Sequence, residues 1–117
     1  MKFNFEDLQV YQKSLDFVDT VYKITSEFPK EEIYGLVSQF RRASTSIVLN
    51  IAEGSGSTNK EFSRYLRISY NSLKECVVCC TIAFRQGFIS EETFENLRSQ
   101  LQEISKMISG LKNYLEK

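Results

Sequence analysis

Lys60, Arg64, Arg67, Asn71 and Lys74 follow one another at steps of four, three, four and three. On a helix that spacing stacks the side chains along one face. The row spans about 21 Å at a rise of 1.5 Å per residue, a length over which a nucleic-acid backbone presents several phosphates. Between Thr58 and Gly87 the chain holds five basic residues against two acidic ones, Glu61 and Glu75. The chemistry on offer is attraction of a polyanion. An ordinary solvated helix face has the same pattern, and both readings stand.

Arg41-Arg42 is a second basic point. Arg42, Ser46, Asn50 and Glu53, joined by Gln39, fall on one helical face. Buried, these groups would form a hydrogen-bonded network fixing helix register or subunit contacts. Exposed, they would be free to meet a ligand.

Cys76, Cys79 and Cys80 include a C-x-x-C spacing. A structural zinc site needs four ligands, normally cysteine or histidine, and no fourth exists in this chain. Cys76 and Cys80 also fall in an apolar helical row, where a thiol packs as a small hydrophobe. Catalysis lacks its usual parts. There is no histidine, the commonest general base, and no Glu-x-x-His pair of the di-iron bundles can be written. Gly54-Ser55-Gly56 has neither the lysine nor the preceding strand of a phosphate loop. No catalytic residue, metal site or cofactor is expected.

The elements that must carry these groups are four periodic segments. In the first, from about Glu6 to Glu27, Leu8, Tyr11, Leu15, Val18 and Tyr22 form one row, with Val10, Phe17, Val21, Ile24 and Phe28 in a second beside it. The apolar arc is broader than a lone bundle needs, so part of it should meet another surface. After Pro29, a second helix is predicted to about Glu53, with Ile33, Leu36, Phe40, Ala43, Ile47 and Ile51 inward and Gly54-Ser55-Gly56-Ser57 as its stop. Thr58 and Glu61 form a capping-box pattern for the third, whose core row is Phe62, Leu66, Ser69, Leu73, Cys76, Cys80 and Ala83; Gly87 closes it. Ser90 caps the fourth, with Phe94, Leu97, Leu101, Ile104, Ile108, Leu111 and Leu115 inward. Short connections make successive helices antiparallel neighbours, which predicts an all-α, up-down-up-down four-helix bundle.

Composition agrees. A chain of 117 residues suits one domain, here 1–117, and 42% hydrophobic with 26% charged residues excludes disorder as the simplest reading. The net charge of zero rules against a globally basic nucleic-acid binder, leaving only a local stripe. Met1–Asp7 carries charges where a signal peptide has an apolar run, and no stretch is long and apolar enough to cross a membrane. Three cysteines within five positions make no disulfide framework, so a cytoplasmic setting is expected.

The run PKEEIYGLVSQFRRASTSIVLNIAEG, Pro29 to Gly54, resembles the signature of the bacterial four helix bundle protein family, also called the 23S rRNA intervening-sequence protein family. FEDLQVYQKS from Phe5 to Ser14 is similar to that family's first-helix start, and SLKE from Ser72 to Glu75 to its third-helix motif. The chain departs from the pattern after Gly56, where a basic residue is usual, and at Ser69 and Asn71, where alanine and glycine are usual. The resemblance implies a non-catalytic four-helix bundle assembled as a homopentamer, with a related branch binding nucleic acid beside reverse transcriptases. Arg41, Arg42, Ser46, Asn50, Glu53, Gly54, Ser72 and Glu75 match its signature positions.

Residues and resemblance together give two expectations. In one, a ring-like homo-oligomer binds RNA or a nucleoprotein through Lys60, Arg64, Arg67 and Lys74, joined by Arg41 or Arg42. In the other, the chain is a protein-interaction scaffold held together by Arg42, Ser46, Asn50, Glu53 and Glu75, and the stripe is solvated surface. Neither involves a membrane or a small-molecule substrate.

Overall fold

A computed structural model describes residues 1–117. The chain is all-α, with four long helices and no strand: α1 (Gln9–Thr25), α2 (Ser38–Gly54), α3 (Asn59–Arg85) and α4 (Glu91–Leu115). No helix is long and apolar enough to cross a membrane.

The first helix is shorter than its periodicity suggests. A 3-10 turn over Asn4–Asp7 precedes it, and Leu8 is extended (φ −71°, ψ 128°). The turn holds itself together: the Phe3 N–H donates to Glu6 Oε1 at 2.8 Å, and the Phe5 ring meets Tyr11 edge-on at 5.1 Å. Of the two apolar rows, the second is the core row. Val10, Phe17, Val21 and Phe28 are buried, while Leu15 and Tyr22 of the first remain 39% and 46% exposed.

The second helix does not run unbroken from Pro29. A 3-10 turn (Lys30–Glu32) and a π turn (Ile33–Val37) lead into it, and Gly35 departs from helical geometry (φ −112°, ψ −109°). The Glu32 carboxylate accepts the Leu36 N–H at 3.2 Å, so a side chain replaces a missing backbone partner at the irregularity. Ile33 therefore points outward, 49% exposed, against the expectation that it faces the core. Phe40, Ala43, Ile47 and Ile51 are buried as the periodicity predicts.

At the other end of α2, Gly54 still belongs to the helix. The left-handed residue is Gly56 (φ +86°), two positions later than the first glycine of the predicted stop. Gly87 (φ +78°) closes α3 as expected.

Caps start the last two helices. Thr58 Oγ1 accepts the Glu61 N–H at 3.1 Å, and Ser90 Oγ accepts the Thr93 N–H at 3.1 Å. The expected capping box at Thr58 is only half made, because the Glu61 carboxylate takes Arg64 Nε at 2.8 Å instead of turning back. All seven positions of the predicted α3 row are buried, as are Leu97, Leu101, Ile104 and Ile108 of α4. Each such aliphatic side chain contributes about 1.5–3 kcal/mol of burial.

A core cluster of 17 buried residues draws on all four helices. Its partners fix how they lie. Ser63 near the start of α3 reaches Glu116 just past α4, while Phe84 near the end of α3 stacks on Phe94 at the start of α4 (centroids 4.6 Å apart). Likewise Ser72 meets Ser46 and Ser69 meets Ile47 between α3 and α2, and Phe17 packs against Phe40 between α1 and α2.

Candidate nucleic-acid interface

The core row of α3 leaves its opposite face to solvent. Lys60, Arg64, Arg67, Asn71 and Lys74 all lie on it and all are exposed. They differ in what surrounds them. Arg64 is anchored: its Nε donates to Glu61 Oε2 at 2.8 Å, and its guanidinium lies 4.7 Å from the Tyr65 ring centroid. That hydrogen bond, more than any other cause, raises the Arg64 pKa above its ordinary value. Lys60, Arg67 and Lys74 make neither ion pair nor hydrogen bond with the protein, although Lys74 Nζ rests 5.9 Å from the centre of the Tyr70 ring.

The stripe borders the seam between α3 and α4. Lys60, Ser63, Arg64 and Arg67 line an open cleft with Leu115, Glu116 and Lys117. Within it the Glu116 carboxylate accepts from Ser63 Oγ at 2.5 Å and from Lys112 Nζ at 2.8 Å. The Lys112 bond, then the Ser63 bond, hold the Glu116 carboxyl below the usual carboxylate range, and the Arg67 charge adds to this. Further along the same seam, Lys74 and Arg98 flank a groove floored by Leu73, Val77 and Leu101. Arg98 lies 5.6 Å from the Phe94 ring centroid.

Arg41 sits elsewhere. Its Nε donates to Thr25 Oγ1 at 2.9 Å, Nη2 donates to the Tyr22 carbonyl at 3.3 Å, and the guanidinium stacks 4.5 Å from the Tyr22 ring centroid. The Tyr22 carbonyl already accepts the Ser26 N–H at 3.3 Å, so Arg41 adds a second donor and a positive charge at the negative end of α1. The structure does not bring it to the α3 stripe.

The polar face of α2 comes together only in part. Asn50 Nδ2 donates to the Ser46 carbonyl at 2.8 Å and to Ser46 Oγ at 3.1 Å, and Ser72 Oγ of α3 donates to Ser46 Oγ at 2.8 Å. Arg42, Glu53 and Glu75 are exposed and join no hydrogen bond or ion pair. Gln39 is likewise exposed.

The three thiols are free and buried. Burial raises the pKa of all three; Cys79 is pushed up to about 11 and Cys80 to about 12. Thiols so protected remain protonated and unreactive near neutrality.

The model of the 23S rRNA-intervening sequence protein family matches residues 6–110. The chain belongs to that family. The match spans all of α1, α2 and α3 and most of α4, so the stripe and the Ser46–Asn50–Ser72 cluster both lie within the family's extent. A crystal structure from Bacteroides thetaiotaomicron VPI-5482, described as a protein with unknown function from the S23 ribosomal protein family, is similar in fold. Its TM-score is 0.82 at 24% identity, covering 89% of this chain and 95% of that one. No curated protein sequence matches the chain.

In this member of the intervening-sequence family, sequence reasoning missed Ser63 in the cleft, Arg98 in the groove further along the seam, and Lys112, which pairs with the cleft's Glu116. Periodicity places Arg98 and Lys112 beside the α4 core row but does not reveal which neighbouring helix that flank meets. Ser63 carries no charge to attract notice.

Proposed function

We propose that this protein is a non-catalytic binding module that grips a nucleic-acid backbone along the outer face of α3 and works as an assembly of several copies. One observation carries the reading: Lys60, Arg67 and Lys74 stand exposed on one side of a single rigid helix without a carboxylate partner. Such cations are surrounded by water and mobile anions, and a polyanion gains affinity by releasing the counterions condensed on its own phosphates. Membership of the 23S rRNA-intervening sequence protein family supports RNA as the polyanion.

The residue pairings between α2 and α3, and between α3 and α4, support an antiparallel up-down-up-down course within one domain. Three unbridged thiols support a reducing, cytoplasmic setting. Lack of histidine and of any nucleophile–base pair supports the absence of catalysis.

Filter binding with a structured RNA across a salt series tests the proposal. Affinity should fall steeply as salt rises, and reversal of Lys60, Arg64 and Arg67 to glutamate should abolish it with the helical content intact. Undiminished binding by that variant would place the contact elsewhere.

A second reading, a protein-interaction scaffold, is favoured by a separate observation. Leu15, Tyr22, Leu49, Val78 and Ile82 leave apolar surface exposed on α1, α2 and α3, and exposed apolar patches commonly mark contact with another chain. The two readings divide on the RNA titration.

A further inference from the structure

The α3–α4 cleft holds a carboxylate in the position an incoming anion would need. Ser63 is 7% exposed, and its hydroxyl has one use, donation to Glu116 Oε2. Lys112 Nζ donates to the same oxygen at 2.8 Å. Arg67 lines the cleft from the α3 side and makes no ion pair. A nearly buried hydroxyl and an ammonium thus hold one anionic oxygen, with the Arg67 guanidinium lining the same cleft beyond ion-pair reach of it. Hydroxyl, ammonium and guanidinium are the donors that also recognise a phosphodiester oxygen.

We infer that Ser63, Arg67 and Lys112 form a backbone-phosphate site at one end of the α3 stripe, and that Glu116 occupies it in cis as a displaceable latch. The inference rests on the nucleic-acid reading above and adds a regulator to it. The latch is weak by construction. Glu116 and Lys112 have side chains 48% and 29% exposed, and solvent-screened pairs of this kind hold only loosely. A polyanion that already engages Lys60, Arg64 and Lys74 presents phosphates at high local concentration and outcompetes a single carboxylate. The site then adds one contact to a strand already bound, favouring long polyanions over short ones.

The test is titration of a fluorescent oligouridylate against the full chain and three variants. Glu116→Gln keeps the shape and removes the charge. It should tighten binding about two- to five-fold at low ionic strength, the range an exposed ion pair permits. The slope of log affinity against log salt should steepen by roughly 0.7, one additional phosphate contact on a single strand. Glu103→Gln controls for net charge, since Glu103 lies elsewhere on α4 and pairs loosely with Lys13 at 3.7 Å; its affinity should match the unaltered chain. Adding Ser63→Ala to Glu116→Gln should take most of the gain away, because the phosphate then loses the buried donor.

Equal affinities for the unaltered chain and Glu116→Gln would overturn the latch while leaving the α3 reading in place. The same gain in Glu103→Gln would overturn it too, reducing the effect to overall charge. Failure of both the unaltered chain and Glu116→Gln to bind would sink the nucleic-acid reading and the latch together. Glu116 is a surface side chain, so circular dichroism of the variant should be unchanged.

Discussion

Gly54 lies against Tyr65 so closely that a Cβ built on the glycine would fall 2.6 Å from the Cβ of Tyr65 and 2.9 Å from Phe62 Cδ1. The first of these atoms is fixed to the α3 backbone and cannot swing aside. Gly54 therefore sets the distance of closest approach between the end of α2 and the start of α3. Gly54→Ala gains a little helix propensity and loses more to overpacking, for a net destabilisation of about 1–3 kcal/mol. Gly110 gives the contrast. It is an exposed α4 residue with open space where a Cβ would go, so Gly110→Ala should stabilise by about 0.4–1 kcal/mol. Thermal unfolding of both variants checks the pair, and the opposite signs are the essential result.

Arg41 should matter to stability more than to nucleic-acid binding. Arg41→Ala removes two hydrogen bonds at the end of α1 and the stacking on Tyr22. Charged hydrogen bonds contribute more than neutral ones, but this side chain is only half-buried, and a loss of about 1–2 kcal/mol is expected. RNA affinity at fixed salt should change little. A large loss of affinity with an unchanged unfolding midpoint would return Arg41 to the binding surface.

The core of this fold is plainly written in the sequence because one side chain in every three or four must return to the same stripe. The α3 row from Phe62 to Ala83 and the α4 row from Leu97 to Ile108 are buried as read. Even Ser69, which interrupts the α3 row, is explained by its place: its hydroxyl donates to the Ile47 carbonyl at 2.9 Å across the interface. What periodicity misses is local. Ile33 satisfies the period, yet the irregular backbone at Gly35 rotates it outward. The cleft was half legible. Steps of three and four reveal Lys60, Arg64, Arg67 and Lys74, because they belong to one helix. Lys112 and Glu116 stand four apart at the end of one segment, but Ser63 reaches Glu116 only through the pairing of α3 with the end of α4, and no spacing within a segment encodes that.

Leu49 is 55% exposed, and it lines one shallow depression with Tyr22, Arg42 and Ser46. If this surface joins copies of the chain, Leu49→Glu places a charge where the partner's apolar atoms should sit. The variant should shift to smaller species in sedimentation at micromolar concentration, with its helical signal intact. Folding itself should hardly be affected, since an exposed position carries little core packing and surface substitutions usually stay within about 0.5 kcal/mol. An unchanged sedimentation profile would remove Leu49 from any interface.

The thiols give the chain a predictable weakness to alkali. Burial first, and neighbouring charges second, raise the pKa of Cys76, bring Cys79 to about 11 and bring Cys80 to about 12. In the unfolded chain the same thiols ionise near an ordinary value of about 8.5. Above that point the unfolded state binds fewer protons than the folded one, so stability falls as pH rises. The contribution is fully present below about pH 8.5 and is lost progressively as the solution passes towards the folded values. Urea midpoints measured from pH 7 to pH 10.5 should decline, and replacement of all three cysteines by alanine should flatten the decline after allowance for its own cavity cost. At pH 8 the native chain should resist iodoacetamide until urea unfolds it. Rapid alkylation of the folded protein would mean that at least one thiol opens to solvent, and the assignment of the three as inert packing would fail for that residue.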